Sequence, residues 1–289
     1  MTEGMNVHWF PGHMTKALRT MEADLKLVDC VCELADARIP RSSRNPALEE
    51  LLGRKPRLLL LNRADQADPQ MTKRWIDYYQ SQGLAALATD CRSGKGVDRF
   101  PAAVRSLMAE KLRALEARGQ GTKPLRAMVV GIPNVGKSSF INKAAGRKAA
   151  AASDRPGVTR GRQWVTVSRG LELLDTPGVL WPKFDDPRVG EYLAYTGAVK
   201  DQVLDVEDLA SRLLALLAER APHALAERFR LTETEGLPGW ELLEAAARKR
   251  GFLVSGGEAD TLRMAGVLLD EFRAGKLGRL TLEAPDAAP

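Results

Sequence analysis

Apolar and polar positions follow two different patterns along the first two thirds of the chain. Short apolar runs that are typical of buried strands occur at residues 28–36, 56–62 and 84–90. Helical patterns lie between them, near residues 70–82 and 97–117. Because strands that alternate with helices form parallel sheets covered by helices, this pattern predicts an α/β fold.

A second set of elements follows residues 118–126, a connector rich in glycine, proline and charge. The set comprises a strand, a helix and two strands joined by a tight turn, predicted at residues 127–131, 138–146, 163–167 and 171–175. From about residue 187 onward the pattern is helical, with apolar stripes at spacings of three and four residues. We therefore expect one domain at residues 1–184, an all-helical domain at residues 185–289, and fraying at the end, residues 283–289.

Composition limits the classes of protein to which the chain can belong. A chain of 289 residues with 44% hydrophobic residues can bury a full core, and its net charge of +6 is compatible with a polyanionic partner. Three cysteines cannot build a disulfide framework, and Cys30 and Cys32 lie in a strand-like apolar run. Neither a signal peptide nor an apolar run of membrane-spanning length is visible, so we expect a cytoplasmic protein that does not enter membranes.

The chemistry that can be inferred most directly is phosphate binding. The segment Gly131-Ile-Pro-Asn-Val-Gly-Lys-Ser138 stands between a predicted strand and a predicted helix, as a Walker A loop does. Backbone N–H groups at a helix N-terminus bind phosphate oxygens, and Lys137 adds a positive charge. A glycine-rich turn without a ligand is the alternative, which this context disfavours. The predicted phosphate-binding residues are Asn134, Val135, Gly136, Lys137, Ser138, Ser139 and Gly178.

Three oxygen-bearing residues are candidate ligands for Mg²⁺. They are the hydroxyl of Ser138, Thr159 in the segment Pro-Gly-Val-Thr, and Asp175 in the segment Asp-Thr-Pro-Gly. Asp175 follows an apolar strand, so its carboxylate is expected at the edge where α/β sheets bind ligands. Either of the last two segments alone would be an ordinary turn, but their order after the phosphate loop predicts a nucleoside triphosphate site.

Recognition of the base is predicted for Asn62-Arg-Ala-Asp65, at the end of an apolar run. The Asp65 carboxylate can accept hydrogen bonds from both N1–H and N2–H of guanine, a donor pair that adenine lacks. Taken alone, these four residues are explained more simply as a strand-ending turn. In ordinary GTPases the phosphate loop comes first, whereas here it follows this motif by about seventy residues.

In this order the motifs closely resemble the circularly permuted GTPases, in particular the ribosome biogenesis GTPase A family of the YlqF/RbgA type. The matching segments also include His8-Trp-Phe-Pro-Gly-His13-Met, Asp36-Ala-Arg-Ile-Pro40 and Asn45-Pro46, and together they span nearly two thirds of the chain. The resemblance implies a P-loop NTPase fold: a circularly permuted Ras-like domain with a mostly parallel sheet, followed by a small all-helical C-terminal domain.

The resemblance also assigns further roles at the base site. It implies that Thr89, Asp90 and Cys91 form the loop whose backbone meets the guanine O6. Arg63 stands where the usual motif has lysine, and either side chain can lay an aliphatic stem over the base. The expected guanine-binding set is Asn62, Arg63, Asp65, Thr89, Asp90 and Cys91.

Hydrolysis requires a group that orients water. Ordinary GTPases place a glutamine after the Asp-Thr-Pro-Gly motif, but here Val179 and Leu180 follow it. The resemblance implies that His13 takes this role, although without it a histidine in the apparent turn Pro-Gly-His-Met would be structural. The resemblance further implies that Asn134 supports a K⁺ ion beside the phosphates, in addition to Mg²⁺.

The implied partners are GTP and GDP, the precursor of the large ribosomal subunit and its rRNA, bound by a monomer. Nine basic residues of the helical region fit RNA phosphates, although a solvated helix surface explains them equally well: Arg228, Arg230, Arg248, Lys249, Arg250, Arg263, Arg273, Lys276 and Arg279.

The sequence is compatible with two functions. One is a GTPase that switches between a ribosome-bound GTP form and a released GDP form, and the other is a nucleotide-regulated RNA-binding module with incidental hydrolysis. A metabolic P-loop ATPase is disfavoured by the base motif and by the lack of a second substrate motif.

Overall fold

The computed structural model describes residues 11–120, 123–146, 163–181, 184 and 186–286, with the side chains of residues 11–15 excluded. The chain forms two compact units. Residues 11–184 together with 281–286 form the first, which we call the sheet unit, and residues 186–280 form the second, the helical unit.

The sheet unit is built on six strands: β1 Cys30–Asp36, β2 Arg57–Asn62, β3 Ala85–Ala88, β4 Leu125–Gly131, β5 Gln163–Ser168 and β6 Leu171–Asp175. Their order across the sheet is β3-β2-β1-β4-β6-β5, and every pair is parallel except β5 with β6. The predicted α/β fold with a mostly parallel sheet is confirmed. The strand that carries the base motif, β2, precedes the phosphate-loop strand β4 in sequence, as a permuted order requires.

The sheet unit also contains the helices α1 Pro11–Leu25, α2 Pro46–Leu52, α3 Pro69–Ser81, α4 Phe100–Leu107, α5 Ala109–Ala117 and α6 Lys137–Ala145. The single helix predicted at residues 97–117 is two helices, because the backbone at Met108 (φ −101°, ψ 15°) leaves the helical conformation. Helices α1 and α2 were not predicted. The turn expected around His13 is instead the first turn of α1, which begins at Pro11.

Alternate residues of the central strands pack against different helices. Met21 of α1 and Leu48 of α2 share an apolar cluster with Val31 and Met128. Strand residues of the opposite parity, such as Cys32, are also fully buried, as expected when both faces of a parallel sheet are covered. Asp36, Asn62 and Asp175 are buried polar residues at strand ends, and Glu33 inside β1 is paired with Arg44.

Four strands end in residues that the sequence singles out. Asp36, Asn62, Gly131 and Asp175 are the last residues of β1, β2, β4 and β6. In the parallel register Asp36 pairs with Asn62, and Leu34 pairs with Gly131. Since open α/β sheets bind ligands at the carboxyl ends of their strands, this edge is the expected position of the site.

The helical unit contains α7 Pro187–Tyr195, α8 Val206–Arg220, α9 Pro222–Phe229, α10 Gly239–Lys249 and α11 Thr261–Arg273. Between residues 186 and 280 the extended structure consists of one isolated bridge between Leu253 and Ala259. Pro222 begins α9 directly after α8, because proline favours the first position of a helix. In the described part of the chain, no helix has both the length and the apolarity to cross a membrane.

The end of the chain differs from the sequence expectation. Residues 281–286 belong to the sheet unit, so the helical domain expected at residues 185–289 stops short of the terminus. The fraying expected from residue 283 does not extend to 283–286, since the Glu283 carboxylate accepts a hydrogen bond of 2.7 Å from the Arg41 N–H. The Trp75 indole also donates to the Glu283 carbonyl over 3.0 Å. Residues 287–289 lie outside the described residues.

Close packing of α10 on α8 depends on one glycine. A Cβ placed at Gly239 would lie 1.9 Å from the Ser211 carbonyl oxygen, so the backbone would have to move. We expect Gly239→Ala to lower the free energy of unfolding of the helical unit by about 1–3 kcal/mol. Gly266→Ala in α11 is the matched control, because a Cβ there meets nothing within 4 Å. Denaturant titration of both variants checks this, and equal stabilities would contradict the packing.

Candidate functional site

The predicted base and phosphate residues come together around one cavity of about 250 Å³. Three loops that are distant in sequence line it, with the residues Asn62, Arg63, Asp65, Gln66, Asp90, Cys91, Arg92, Gly136 and Ser139. Seven of these residues were predicted site residues. Gln66 and Arg92 were missed, because no motif in the sequence marks them.

The Asn62 side chain joins all three loops. Its Nδ2 donates to the Val135 carbonyl of the phosphate loop over 2.8 Å. Its Oδ1 accepts from Thr89 Oγ1 at 3.3 Å and from Cys91 Sγ at 3.1 Å. Gly136 (φ 98°) leaves room for this amide, since a Cβ there would lie 2.5 Å from Nδ2.

Arg63 links the base motif to the phosphate loop. Its backbone is left-handed (φ 59°), and its Nη2 donates to the Asn134 carbonyl over 2.9 Å. Its Nε lies 3.7 Å from Asp36 Oδ2. Burial would raise the pKa of Asp36, but the buried Arg38 guanidinium, bonded to it at 2.7 Å, holds that pKa below its ordinary value. Arg63 therefore faces an ionised carboxylate.

The two carboxylates on the cavity wall differ in their surroundings. Asp90 accepts hydrogen bonds from the backbone N–H groups of Arg92 (2.7 Å) and Ser93 (3.2 Å), so it stabilises its own turn. Asp65 has a side chain 23% exposed, with Oδ2 3.6 Å from the exposed Arg92 guanidinium. Asp65 is thus the carboxylate that is available to read a base edge.

The thiol of Cys91 remains a hydrogen-bond donor at neutral pH. Burial raises the pKa of Cys91 to about 12, so the sulfur keeps its proton. It holds the loop after β3 against Asn62 rather than acting as a nucleophile.

The phosphate loop lies between β4 and α6, as predicted. Lys137 is buried and its Nζ donates to the carbonyls of Ile132 (2.7 Å) and Gly131 (3.1 Å). Burial lowers the pKa of Lys137 to about 8, and Asp175 opposes that shift. A phosphate beside this amine would favour its protonated form. Gly178 lies against the loop so closely that a Cβ would be 2.7 Å from Lys137 Nζ.

Two of the three expected Mg²⁺ ligands are adjacent. The Ser138 hydroxyl donates to Asp175 Oδ2 over 3.3 Å. A hydroxyl and a carboxylate oxygen form the hard donor set that Mg²⁺ prefers, so these residues fit the ion. Thr159 lies outside the described residues. His13 belongs to α1, but its side chain is likewise outside the description.

Two further segments make contacts that the sequence did not predict. The Asn45 side chain caps α2 by accepting from the Ala47 N–H (3.0 Å) and donates to the Val179 carbonyl (3.0 Å). Asn45 thereby joins α2 to the residues after Asp175-Thr-Pro-Gly178. Asp36 and Arg38 form the ion pair beside Arg63 described above.

Known proteins resemble this chain over nearly its whole length. The family described as "50S ribosome-binding GTPase" matches residues 126–248, beginning in the strand that carries the phosphate loop. Ribosome biogenesis GTPase A from Priestia megaterium is 47% identical over 286 residues, 98% of this chain and 99% of that protein. The chain belongs to the ribosome biogenesis GTPase A family.

More distant relatives agree with this assignment. Mitochondrial ribosome-associated GTPase 1 from Mus musculus is 36% identical over 95% of this chain and 89% of that protein. The solved structure of GNP-bound YlqF from T. maritima is 27% identical, with a TM-score of 0.66 over 94% of this chain and 100% of that chain. A GDP-bound YlqF structure gives the same TM-score at 28% identity. The resemblance seen in the sequence motifs is confirmed.

The basic residues of the helical unit divide into two groups. Some form ion pairs within the unit: Arg228 and Arg250 with Glu271, Arg273 with Asp201, and Arg248 with Glu244. Arg263 stacks over the Phe252 ring at 4.2 Å. The others are exposed side chains, namely Arg230, Lys249, Lys276 and Arg279. The first group stabilises the unit, so the second is better suited to contact a polyanion.

The Glu271 ion pairs predict how the helical unit responds to acid. Burial would raise the pKa of Glu271, but hydrogen bonds and charge from Arg228 and Arg250 hold it below its ordinary value of 4.5. A lowered folded-state pKa adds stability above the unfolded-state pKa, and that stability is lost as the pH falls through the folded value. We expect Glu271→Gln to destabilise the unit at pH 7 but progressively less below about pH 4.5.

Denaturant unfolding of both proteins from neutral to acidic pH measures this difference. Glu244→Gln, which alters an exposed pair with Arg248, is the control and should have a small effect throughout. A difference between Glu271→Gln and the unsubstituted chain that stays constant with pH would contradict the assigned role of Glu271.

Proposed function

We propose that this chain hydrolyses GTP and acts in assembly of the large ribosomal subunit, bound to it in the GTP form and released in the GDP form. The observation that carries the proposal is the cavity shared by the base motif and the phosphate loop, in a chain of this family. The relatives' names, ribosome biogenesis GTPase A and mitochondrial ribosome-associated GTPase 1, support the ribosomal part.

Guanine is selected by hydrogen bonding at Asp65. Its carboxylate accepts from N1–H and N2–H, and a base without these donors leaves it unpaired at a large cost in affinity. Asn62 holds the surrounding loops, the Arg63 stem covers one face of the base, and the backbone of Thr89, Asp90 and Cys91 meets O6. The position of Asn62, Arg63, Asp65, Asp90 and Cys91 around one cavity supports these roles, and Thr89 is bonded to Asn62.

The phosphates bind the backbone N–H groups of residues 134–139, the Lys137 ammonium and the Gly178 N–H. Ser138, Asp175 and Thr159 would hold Mg²⁺, which offsets negative charge on the phosphates when it is bound. The 3.3 Å separation of the Ser138 and Asp175 oxygens supports this set. Asn134 is the proposed residue for a K⁺ ion beside the same phosphates.

Water must be oriented by a residue outside the segment that follows Gly178. Val179 and Leu180 are 1% and 3% exposed, and both are apolar. The family resemblance implies His13 for this role, and we propose it as the water-orienting residue. Turnover by the isolated chain should accordingly be slow until a partner orders the site.

The helical unit supplies the ribosomal contact in this proposal. Its exposed basic residues suit recognition of an rRNA backbone, and the protein acts as a cytoplasmic monomer. Residues after Asp175 lead directly into this unit, so the segment that senses the γ-phosphate is covalently continuous with the proposed RNA-binding surface.

A second function is favoured by one observation. The apolar, buried Val179 and Leu180 replace a catalytic amide, which suits a binding module in which nucleotide regulates RNA binding and hydrolysis is incidental. The two functions differ in whether ribosomal particles accelerate turnover.

The decisive experiment measures GTP turnover with and without purified large ribosomal subunits, in K⁺ and in Na⁺ buffers. We expect subunits to stimulate turnover by at least about tenfold, since ordering of catalytic groups lowers the barrier. We also expect faster turnover in K⁺ than in Na⁺. ATP and Asp65→Asn are the selectivity controls. Asp65→Asn should weaken GTP binding about 100-fold, because the amide keeps one acceptor oxygen but places a donor opposite the other guanine N–H. Guanine binding without stimulation would favour the binding module.

The role of His13 is tested separately. His13→Ala should reduce stimulated turnover by about 10²-fold or more, while leaving the affinity for GDP unchanged, because the side chain acts on water rather than on the nucleotide. Single-turnover kinetics and GDP titration separate the two effects. Full stimulated turnover by the variant would exclude His13 as the water-orienting residue.

A further inference from the structure

Residues 281–286, which follow the helical unit in sequence, are bound to the sheet unit along their length. The Leu282 N–H donates to the Arg38 carbonyl over 2.7 Å, and Leu282 is 2% exposed. Thr281 Oγ1 accepts from the Asp68 N–H at 3.1 Å. Asp286 pairs with Arg74 at the exposed end of the segment. A terminal segment with this many directed contacts occupies a defined position.

Glu283 makes the most specific of these contacts. Its carboxylate accepts from the backbone N–H groups of Arg41 (2.7 Å) and Ser42 (3.1 Å), and from the Ser42 hydroxyl. The Glu283 carbonyl accepts from the Trp75 indole over 3.0 Å. If the Glu283 side chain is removed, the Arg41 and Ser42 donors lose their acceptor. Ser42 is buried, so this loss is more costly than losing an exposed ion pair.

The segment binds residues 36–43, the loop that follows β1. This loop is bonded directly to the base motif, because the Ala37 N–H donates to the Asn62 carbonyl over 2.8 Å. The same loop supplies Asp36, whose carboxylate accepts from the Arg38 N–H at 3.0 Å and lies 3.7 Å from Arg63 Nε. Leu282 and Glu283 thus contact the same segment that contacts Arg63.

Arg63 depends on this loop more than a lysine would. Its planar guanidinium faces Asp36 with Nε and donates to the Asn134 carbonyl with Nη2, so it is held at two points. A lysine ammonium is a single point charge and cannot reproduce this fork. The position of the Arg63 stem, and hence of the surface it presents to a base, follows the position of Asp36.

We propose that residues 281–286 form a latch that holds the 36–43 loop and thereby positions Arg63 for guanine binding. Glu283 is a positioning residue, since it touches the loop and not the nucleotide. The latch is also the point at which the chain returns from the helical unit. A ligand of the helical unit that displaces residues 281–286 from the 36–43 loop therefore lowers guanine-nucleotide affinity through the base side of the site.

This inference rests on the proposed guanine binding and is tested on the full chain with a fluorescent GDP analogue. Glu283→Ala should weaken binding about fivefold, the equivalent of one arginine–ring contact. In an Arg63→Ala background the same change should have no further effect, because coupled residues are not additive. Asp286→Asn, which alters only the exposed pair with Arg74, is the matched control and should bind normally.

A second variant covers the case in which Glu283→Ala does not fold, which circular dichroism would reveal. Ser42→Ala removes one donor to Glu283 and should weaken GDP binding roughly twofold. Unchanged affinity in both variants would overturn the latch. Equal losses in the Arg63 and Arg63→Ala backgrounds would overturn the route through Arg63 and leave a purely structural contact. A chain without substitutions that fails to bind GDP would overturn guanine binding itself, and the latch with it.

Discussion

The site depends on the parallel pairing of β1 with β2 on one side and with β4 on the other. These pairings place the ends of three strands at one edge, with Asp36 beside Asn62 and Leu34 beside Gly131. Asn62 can reach the Val135 carbonyl only because that register is fixed, and the buried faces of the strands fix it, since a slip of one residue would turn apolar side chains outward. This bond joins the base motif to the phosphate loop.

Buried ion pairs fix the positions of side chains at this edge of the sheet. Arg38 and Asp36 are 1% and 2% exposed. Glu33, which like Asp36 belongs to β1, pairs with Arg44. Such pairs add little net stability, but the loss of one partner is costly, so each guanidinium has a strongly preferred position. The loop after β1 is therefore held both by these ion pairs and by the Glu283 carboxylate. The position of Arg63 therefore depends on the position of that loop.

The permuted order gives the helical unit two covalent attachments to the sheet unit. Residues 176–184 lead into it from the end of β6, next to the phosphate loop, and residues 281–286 return to the loop beside the base motif. The phosphate-binding part and the base-binding part of the site are therefore both covalently continuous with the helical unit. In the unpermuted order the chain would lead from the phosphate motif back into the sheet. In the proposed function, a partner of the helical unit is thus linked along the chain to both halves of the nucleotide site.

Local patterns were sufficient for the strands and for the phosphate loop, because alternation of apolar residues and the glycine and lysine spacing act within a few residues. The base motif was recognised only from its order relative to the phosphate loop. Helix α1 and the division at Met108 were missed because their causes are packing and backbone geometry rather than pattern. The sequence by itself determined the α/β class, the motif order and the family. Only the tertiary structure decided that Asp36, Arg63 and Glu283 form one connected group, because those contacts join segments up to 242 residues apart whose burial has no local signature.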